Sequence, residues 1–350
     1  MKAHLFILST TLGIALATPA ACTSENTLLR KEWRELDAAE RNDYVEALWC
    51  LRDRPSILSN ETYPGVRDRW DDFVATHINY TNVIHFNGLL LPWHRQFVYL
   101  WEVALREECG YNGTVPYWNW ALDADNITES PVFDGSSTSL SGNGAYDPDA
   151  PAPCSPGGIC FPKGKGGGCV ESGPFKDMKV HMGPISATLV SSYGEIPVSV
   201  WDYNPRCLYR NLSPDMLAAL NNQTVVDRMQ ATTNIKDWLG VMSPSDPNVL
   251  NPHSGGHGSV GGAMGDFFAS PQDPSFMLHH AFIDRLWAQW QEMDPENRRY
   301  AVNGTTIVYD PPGAPMVTLD TLVEFGSLSP PRKVETMMDP SKNGYCYTYT

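Results

Sequence analysis

Six of the nine histidines in this 350-residue chain fall into two separated groups of three, and no other feature constrains the fold as strongly. The early group is His77, His85 and His94, and the late group is His253, His257 and His280. Three imidazoles can bind one metal ion, so two such groups can hold a pair of ions. A paired site requires distant parts of the chain to meet in space, which favours one domain over two.

The early histidines lie on or beside two predicted helices. From Val66, apolar residues and His77 recur at steps of four, three and four, which places this imidazole on the inward face of a helix. A second helix is predicted to begin near Pro92, a residue suited to a first turn, and His94 lies on its apolar stripe. His85 falls between the two helices, in a loop expected to fold back toward their ends.

The late histidines follow the same logic. An Asn-Pro pair begins a predicted helix on which His253 and His257, four residues apart, share one face. Asp273 is predicted to cap a further helix, and His280 lies on its apolar stripe. The neighbouring His279 points about 100° away from that stripe and is not counted as a ligand.

These histidines could have either a structural role or a metal-binding role. A single histidine on an apolar stripe is usually a hydrogen-bonded core residue. Burying six imidazoles without a ligand would be costly, so the whole set favours a metal site. All six are imidazoles, with no carboxylate or cysteine spaced to join them, which suits copper or zinc and argues against calcium or magnesium.

Two long motifs around these histidines resemble those of one known family. The early motif is His77, seven residues, His85, eight residues and His94, with Leu-Pro-Trp before and Arg after the last histidine. The late motif is His253, three residues and His257, followed by the stretch 273–287, which includes His280. These motifs, with segments 117–120 and 345–347, resemble the tyrosinase, catechol oxidase and haemocyanin group of type-3 copper proteins, and in particular short secreted fungal-type members.

The resemblance implies a mainly α fold with a four-helix bundle core made of two helix pairs. Each pair would hold one copper ion through three histidines, which gives the ligand set His77, His85, His94, His253, His257 and His280. It further implies two copper ions as cofactor, dioxygen as co-substrate, a small phenolic substrate and an ortho-quinone product. Long disulfide-pinned loops and a few short strands are expected around the bundle.

Departures from the family pattern bear on the reaction. Many members have a cysteine two residues before the second ligand, whereas this chain has Val83. Many enzymes that hydroxylate monophenols have asparagine after the first late ligand and a nearby glutamate. Here the residue is Ser254, and no glutamate occurs between Asp237 and His253. We therefore expect oxidation of ortho-diphenols or ortho-aminophenols, with phenol ortho-hydroxylation left open.

Two aspartates near the late motif are candidates for hydrogen bonds that orient the ligand histidines. Asp266 and Asp284 could each accept the outer ring proton of a ligand imidazole. For Asp284 we favour a structural ion pair instead. The candidate partners are Arg67, Arg69 and Arg285.

Two glycines and two further histidines give weaker indications of function. Gly255 and Gly256 would each cost about 1 kcal/mol in a helix relative to alanine. We hypothesise that they keep a substrate entrance open, with close helix packing as an equally strong alternative. His279 is predicted to hydrogen-bond nearby, and His181 to be a loop residue without a partner.

The N-terminus predicts secretion. Residues 1–20 contain a lysine, an apolar run and small residues suited to cleavage, which is typical of a signal peptide and leaves a single domain over 21–350. Eight cysteines remain after cleavage and permit four disulfides. The chain also has glycosylation sequons at Asn60, Asn79, Asn112, Asn126, Asn211, Asn222 and Asn303. Asn79 is expected to be occupied least often because it adjoins the buried site.

The remaining composition limits the partners and outlines the rest of the fold. Without the leader the chain has 24 basic and 40 acidic residues, a formal charge of −16, which argues against nucleic acid and anionic membranes as partners. Helices are expected at about 29–51 and 214–220, and short strands should pair near the termini. The stretch 131–174, rich in glycine and proline, predicts a long surface loop that could form one wall of the substrate entrance.

The sequence leaves two other functions open. A haemocyanin-like oxygen carrier would share the copper ligands, although the small single domain and the leader argue against it. A two-zinc hydrolase is disfavoured because such sites usually include bridging carboxylates, and none is placed for that role here.

Overall fold

The computed structural model describes residues 21–154, 159–190 and 196–350, so the leader predicted for residues 1–20 lies outside the described residues. The α-helices are α1 (Ala38–Asp53), α2 (Arg69–Ile84), α3 (Leu90–Cys109), α4 (Pro214–Leu220), α5 (Gln223–Gln230), α6 (Ile235–Met242), α7 (Pro252–Val260), α8 (Phe276–Glu292) and α9 (Pro295–Arg298). The strands are β1 (Leu28–Arg30), β2 (Gly144–Tyr146), β3 (Gly167–Val170), β4 (Lys179–Val180), β5 (Arg206–Cys207), β6 (Leu322–Val323), β7 (Arg332–Lys333) and β8 (Tyr347–Tyr349).

Helices α2, α3, α7 and α8 form the centre of the molecule, as predicted for a mainly helical fold. The side chain of Asp68 caps α2 by accepting from the N–H of Asp71, and Gly110 ends α3 in the left-handed conformation at φ 69°. Large aromatic side chains fill the space between the helices. The ring of Trp101 on α3 packs edge-on against Trp70 and Phe73 of α2, with centroids 5.1 Å and 4.9 Å away.

Two predicted helix starts need correction. The helix expected at 29–51 begins only at Ala38, because a capping box at Asp37 starts it and the preceding segment pairs as β1. Helix α3 begins at Leu90 and has Pro92 in its first turn, as predicted. Helix α8 begins at Phe276 with Ser275 at the cap position, so Asp273 lies too early in the chain to cap it. The carboxylate of Asp273 accepts from the guanidinium of Arg210 at 2.7 and 2.8 Å and from the N–H of Ser275 at 2.9 Å.

The strands form pairs at the periphery, and the two ends of the described chain are joined. Strand β1 pairs in parallel with β8, and the disulfide Cys22–Cys346 closes the same junction, which confirms the predicted pairing near the termini. In its described part, the stretch 131–174 is a long excursion that carries the antiparallel pair β2–β3. Its start is buried at Val132, Phe133 and Leu140, and it is exposed at Cys154 and Cys160. All eight cysteines form disulfides, and the others are Cys50–Cys109, Cys154–Cys160 and Cys169–Cys207.

The sequons differ in accessibility from the prediction. Asn79 follows the ligand candidate His77 by two residues, but a two-residue step turns a helix by about 200°, so its side chain is exposed. Asn211 is the buried one, with 8% of its surface exposed, and its Oδ1 accepts from the N–H of Gly166. Within the described residues, no helix is both long enough and apolar enough to span a membrane.

Candidate metal centre and its cavity

The early histidines converge where α2 ends and α3 begins. His77 lies on the inward face of α2, His85 directly follows that helix, and His94 lies in the second turn of α3. One ring nitrogen from each histidine can be chosen so that all three lie within 4.8 Å of one another. This geometry suits binding of a single ion by three imidazoles.

Backbone carbonyl groups orient all three early rings. The Nδ1–H of His77 donates to the carbonyl of Phe268 at 2.6 Å, since a carbonyl can only accept. His85 and His94 donate to the carbonyls of residues four positions earlier, Thr81 at 3.0 Å and Leu90 at 2.8 Å. These bonds leave Nε2 as the free ligand atom, and the Nε2 atoms of His77 and His94 are buried without a hydrogen-bond partner.

The late histidines converge between α7 and α8. Asn251 caps α7 and places His253 and His257 on one face, as predicted. The Nδ1–H of His257 donates to the carbonyl of Met264 at 3.0 Å, and its Nε2 lies 3.3 Å from the Nε2 of His280. The Nε2 of His253 is buried without a partner. The structure therefore brings together all three histidines of each predicted group.

The two groups also meet each other. The rings of His85 and His253, one from each group, are nearly parallel at 15° with centroids 5.8 Å apart. The histidine-lined centre is thus a junction between the helix pairs α2–α3 and α7–α8.

Burial keeps these imidazoles neutral. Desolvation lowers the pKa of His85 to about 3 and that of His257 to about 4. It also lowers the pKa of His77, His94, His253 and His280 well below the ordinary value for histidine. A metal ion needs the neutral ring, so the unpartnered buried nitrogens and the all-imidazole donor set fit two copper ions. Among the described residues, no carboxylate or thiolate joins either group.

Asp266 supports the site indirectly, and the predicted direct contact with a ligand ring is wrong. One carboxylate oxygen accepts from the N–H groups of Phe268 and Ala269, both at 3.0 Å, and the other accepts from the N–H of Ile185 at 2.8 Å. The aspartate thereby fixes the turn whose Phe268 carbonyl holds His77.

Asp284 forms a structural ion pair, as favoured, but with different arginines from those proposed. Its carboxylate accepts from Arg95 at 2.5 Å and lies 3.6 Å from Arg30. The hydroxyls of Tyr347 and Tyr349 donate to it at 2.7 and 2.6 Å. Burial alone would raise the pKa of Asp284, but the two arginines outweigh it and hold the pKa below its ordinary value.

The glycines of α7 serve close packing, so the hypothesis of an open entrance at these positions is wrong. A Cβ on Gly256 would lie 2.2 Å from Cε1 of His279, and one on Gly255 would lie 2.2 Å from Oδ1 of Asn221. Neither glycine lines the cavity described below. His279, which was not predicted as a ligand, also brings a ring nitrogen within 4.8 Å of those of His253, His257 and His280. Burial lowers its pKa well below the ordinary value, and a backbone hydrogen bond with His253 partly opposes this.

His181 is the residue that sequence reasoning missed. Its Nδ1 lies 2.6 Å from the carboxylate of Asp71, and Arg52 of α1 contacts the same carboxylate at 3.3 Å. Asp68 completes this buried cluster, and burial together with the charge of Asp71 raises the pKa of Asp68 to about 7. No local pattern signals this arrangement, because His181 and Asp71 are 110 residues apart.

A cavity of about 540 Å³ opens onto the histidines. His85, His253 and His257 line it, and so does Ser254. Residues 150–154 line another side, which confirms that the long excursion forms one wall. Most of the lining is apolar, with glycine, alanine, proline and aliphatic side chains.

The sequence model described as the common central domain of tyrosinase matches residues 67–293, which contain both histidine groups. The chain belongs to the tyrosinase family. Over full length it is 49% identical to N-acetyl-6-hydroxytryptophan oxidase ivoB of Emericella nidulans, covering 100% of this chain and 99% of that protein. It is 46% identical to tyrosinase P of Aspergillus terreus, with 98% and 97% of the two chains covered.

Solved structures agree with this assignment. A variant of a polyphenol oxidase from Thermothelomyces thermophila is 37% identical and superposes with a TM-score of 0.85, covering 94% of this chain and 90% of that one. This tyrosinase-family chain is therefore a tyrosinase-like oxidoreductase that acts on phenols, and its family implies a binuclear copper site.

Proposed function

We propose that the chain is a copper oxidase that converts ortho-diphenols to ortho-quinones, and ortho-aminophenols to quinone imines, with dioxygen. Each substrate molecule gives up two electrons and two protons. One dioxygen takes four electrons and four protons from two substrate molecules and leaves as two waters. Copper would be held by His77, His85 and His94 on one side and by His253, His257 and His280 on the other.

The observation that carries the proposal is the convergence of six neutral imidazoles beside an open apolar cavity. Two bound copper ions would supply the paired one-electron redox chemistry that this reaction needs. The protein's own part is to orient the rings through carbonyl groups and to bind the aromatic ring next to them. Apolar walls keep bulk water away from the reacting oxygens.

Oxidation of diphenols is favoured over hydroxylation of monophenols because the described lining residues offer no free carboxylate base. Ser254 follows His253 and faces the cavity, with a hydroxyl that is a weak base. Asp266 is the carboxylate among the described lining residues, and three backbone N–H groups already occupy it. A monophenol would therefore have to lose its proton without help from this carboxylate.

Uncharged hydroxyindoles are a second substrate candidate. The relative from Emericella nidulans is named an N-acetyl-6-hydroxytryptophan oxidase, and N-acetyl-6-hydroxytryptophan is a phenol fused to a second ring. The cavity of about 540 Å³ is large enough for such a bicyclic ligand.

We also propose that the protein is secreted. Disulfides persist in oxidising compartments, and all eight cysteines of the chain are paired. Expression in a fungal host should place the protein in the culture medium, and removal of N-linked glycans should reduce its apparent mass. Retention inside the cell without glycans would refute secretion.

Oxygen uptake by copper-loaded protein tests the reaction. Catechol and 2-aminophenol should each drive uptake with two substrate molecules consumed per dioxygen, and zinc-loaded protein should show none. Uptake with phenol at a comparable rate would overturn the preference for diphenols. Reversible oxygen binding without quinone formation would instead identify an oxygen carrier.

A further inference from the structure

The cavity beside the histidines is larger than a single aromatic ring requires. Its volume of about 540 Å³ lies in the range that encloses drug-sized ligands. A ring placed against His85, His253 and His257 would fill only the inner part. The outer part must therefore hold a substituent of the substrate or remain filled with water.

One outer wall is a fixed piece of the long excursion. We name residues 150–154 the proline wall, since they read Ala-Pro-Ala-Pro-Cys. The N–H of Asp147 donates to the carbonyl of Gly166 at 3.0 Å and closes the base of the excursion. The disulfide Cys154–Cys160 constrains the chain at the far end of the wall. Prolines and these links limit its freedom, so it presents a preformed apolar surface.

Aliphatic side chains line the cavity from other segments. Val249 and Leu250 precede α7, and Ile185 and Ala187 come from the segment that follows β4. Val249 is 44% exposed, so its side chain is accessible to a ligand in the cavity. Apolar contact on several sides would stabilise an apolar ligand more than a hydrated one.

The described walls offer no cationic side chain to a charged substituent. No lysine or arginine is among the lining residues, and residues 155–158 and 191–195 contain none in the sequence. Asp266 is the lining carboxylate, and its oxygens accept from three backbone N–H groups. A substrate body in the outer cavity is therefore recognised by shape and apolar burial.

We propose that the cavity selects phenolic substrates whose reactive ring carries an uncharged apolar body at least as large as a tert-butyl group. The proline wall and Val249 hold this body, and Ala152 of the wall is a specificity-determining residue. The inference rests on the proposed diphenol oxidation and names the substrate class for that reaction.

A pair of catechols with similar ring electronics tests the selection. Each buried methyl-sized group contributes roughly fourfold in binding. The kcat/KM for 4-tert-butylcatechol should therefore exceed that for 4-methylcatechol by at least about tenfold. A ratio of one or less would overturn the inference while leaving diphenol oxidation intact.

Substitution of the wall residue tests its location. In Ala152→Asp the ratio of the two kcat/KM values should fall at least about fivefold, because a carboxylate in the wall must lose water when the apolar group binds. Ala152→Phe, which fills the space instead, should lower the same ratio. Ala39→Asp makes the same change at an exposed position on α1 and should leave the ratio unchanged. An unchanged ratio in both wall variants would refute the role of Ala152.

A binding measurement separates failure of this inference from failure of the reaction. Calorimetry on the copper-loaded protein would compare 4-butylresorcinol with resorcinol, meta-diphenols that cannot form ortho-quinones directly. The butyl compound should bind at least about tenfold more tightly. This result without catechol turnover would overturn the proposed reaction alone, and equal affinities would overturn the apolar selection.

Discussion

His94 and His280 stack face to face, with ring centroids 4.1 Å apart and ring planes 10° apart. The two residues come from different histidine groups and from helices α3 and α8, which pack against each other. The candidate ligand groups therefore share a contact, and the position of each depends on the packing of the other. Metal binding at one group should be sensitive to changes at its neighbour.

Removal of one ligand tests the assignment of His94 to the early group. In His94→Ala the copper content should fall from about two to about one ion per chain, and diphenol turnover should be lost because oxidation needs both ions. Metal analysis of the purified variant checks the content. His181→Gln is the matched control, since His181 is also buried but lies in the separate cluster with Asp71, and it should retain both ions. Two ions retained in His94→Ala would exclude His94 as a ligand.

Phe267 should position His85. The centroid of its ring lies 4.6 Å from that of His85, and it stacks on Phe86 at 5.4 Å with planes 4° apart. His85 follows the end of α2 and lacks the support of a helix turn around it, so the aromatic contact limits its motion. Phe267→Ala should weaken copper binding at the early group by about tenfold, in the range seen when supports of metal ligands are removed.

Competition with a copper chelator measures this effect. Phe267→Leu retains apolar contact with the imidazole and should recover most of the affinity. Equal copper affinity in wild-type protein and Phe267→Ala would show that the Nδ1 hydrogen bond to Thr81 suffices.

The buried ion pair between Arg95 and Asp284 should be a major determinant of stability. Arg95 is fully enclosed, and it also donates to the carbonyl of Met338 at 2.6 Å. Arg95→Leu would leave a buried carboxylate without its main partner and should cost about 3 to 5 kcal/mol of unfolding free energy. Chemical denaturation of the metal-free protein checks this value. Arg285→Leu, at a partly exposed arginine of the same region, should cost less than about 1 kcal/mol.

The features that can be predicted from the sequence are those that depend on residues close together along the chain. Helical stripes and the cap of α7 depend on residues within one or two turns, so the sequence predicts which face each histidine occupies. The partner of Asp284 lies 189 residues away along the chain, and no local pattern distinguishes Arg95 from other arginines. The motif resemblance predicts the meeting of the two groups, whereas hydrophobic periodicity alone does not.

Other predictions are wrong because the residue could have taken either of two roles. Asp273 has the residue type of a helix cap, yet α8 begins three residues later, and the carboxylate binds the guanidinium of Arg210 and the N–H of Ser275. A glycine such as Gly256 can leave room for a substrate, but here the ring of His279 fills the space beside it. Such outcomes depend on what packs opposite a residue, which only the tertiary structure shows.

The buried cluster around Asp68 predicts an unusual pH dependence of stability. Burial and the neighbouring Asp71 raise the pKa of Asp68 from 3.8 to about 7, while Arg52 and His181 partly oppose this rise. The folded protein therefore holds a proton on Asp68 that the unfolded chain releases above pH 4. This contribution to stability is complete below pH 4 and is lost as the pH rises through 7.

Asp68→Asn should remove this dependence, since asparagine does not titrate and still caps α2. The unfolding free energy of wild type minus that of the variant should decrease by about 2 kcal/mol between pH 5 and pH 8, because groups that titrate equally in both proteins cancel. Denaturant titrations at the two pH values, both in metal-free protein, measure the difference. Asp37→Asn at the exposed cap of α1 controls for loss of one charge at a cap. A difference that stays constant or increases with pH would show that Asp68 is ionised in the folded protein, held by its ion pair with Arg52 at 3.4 Å.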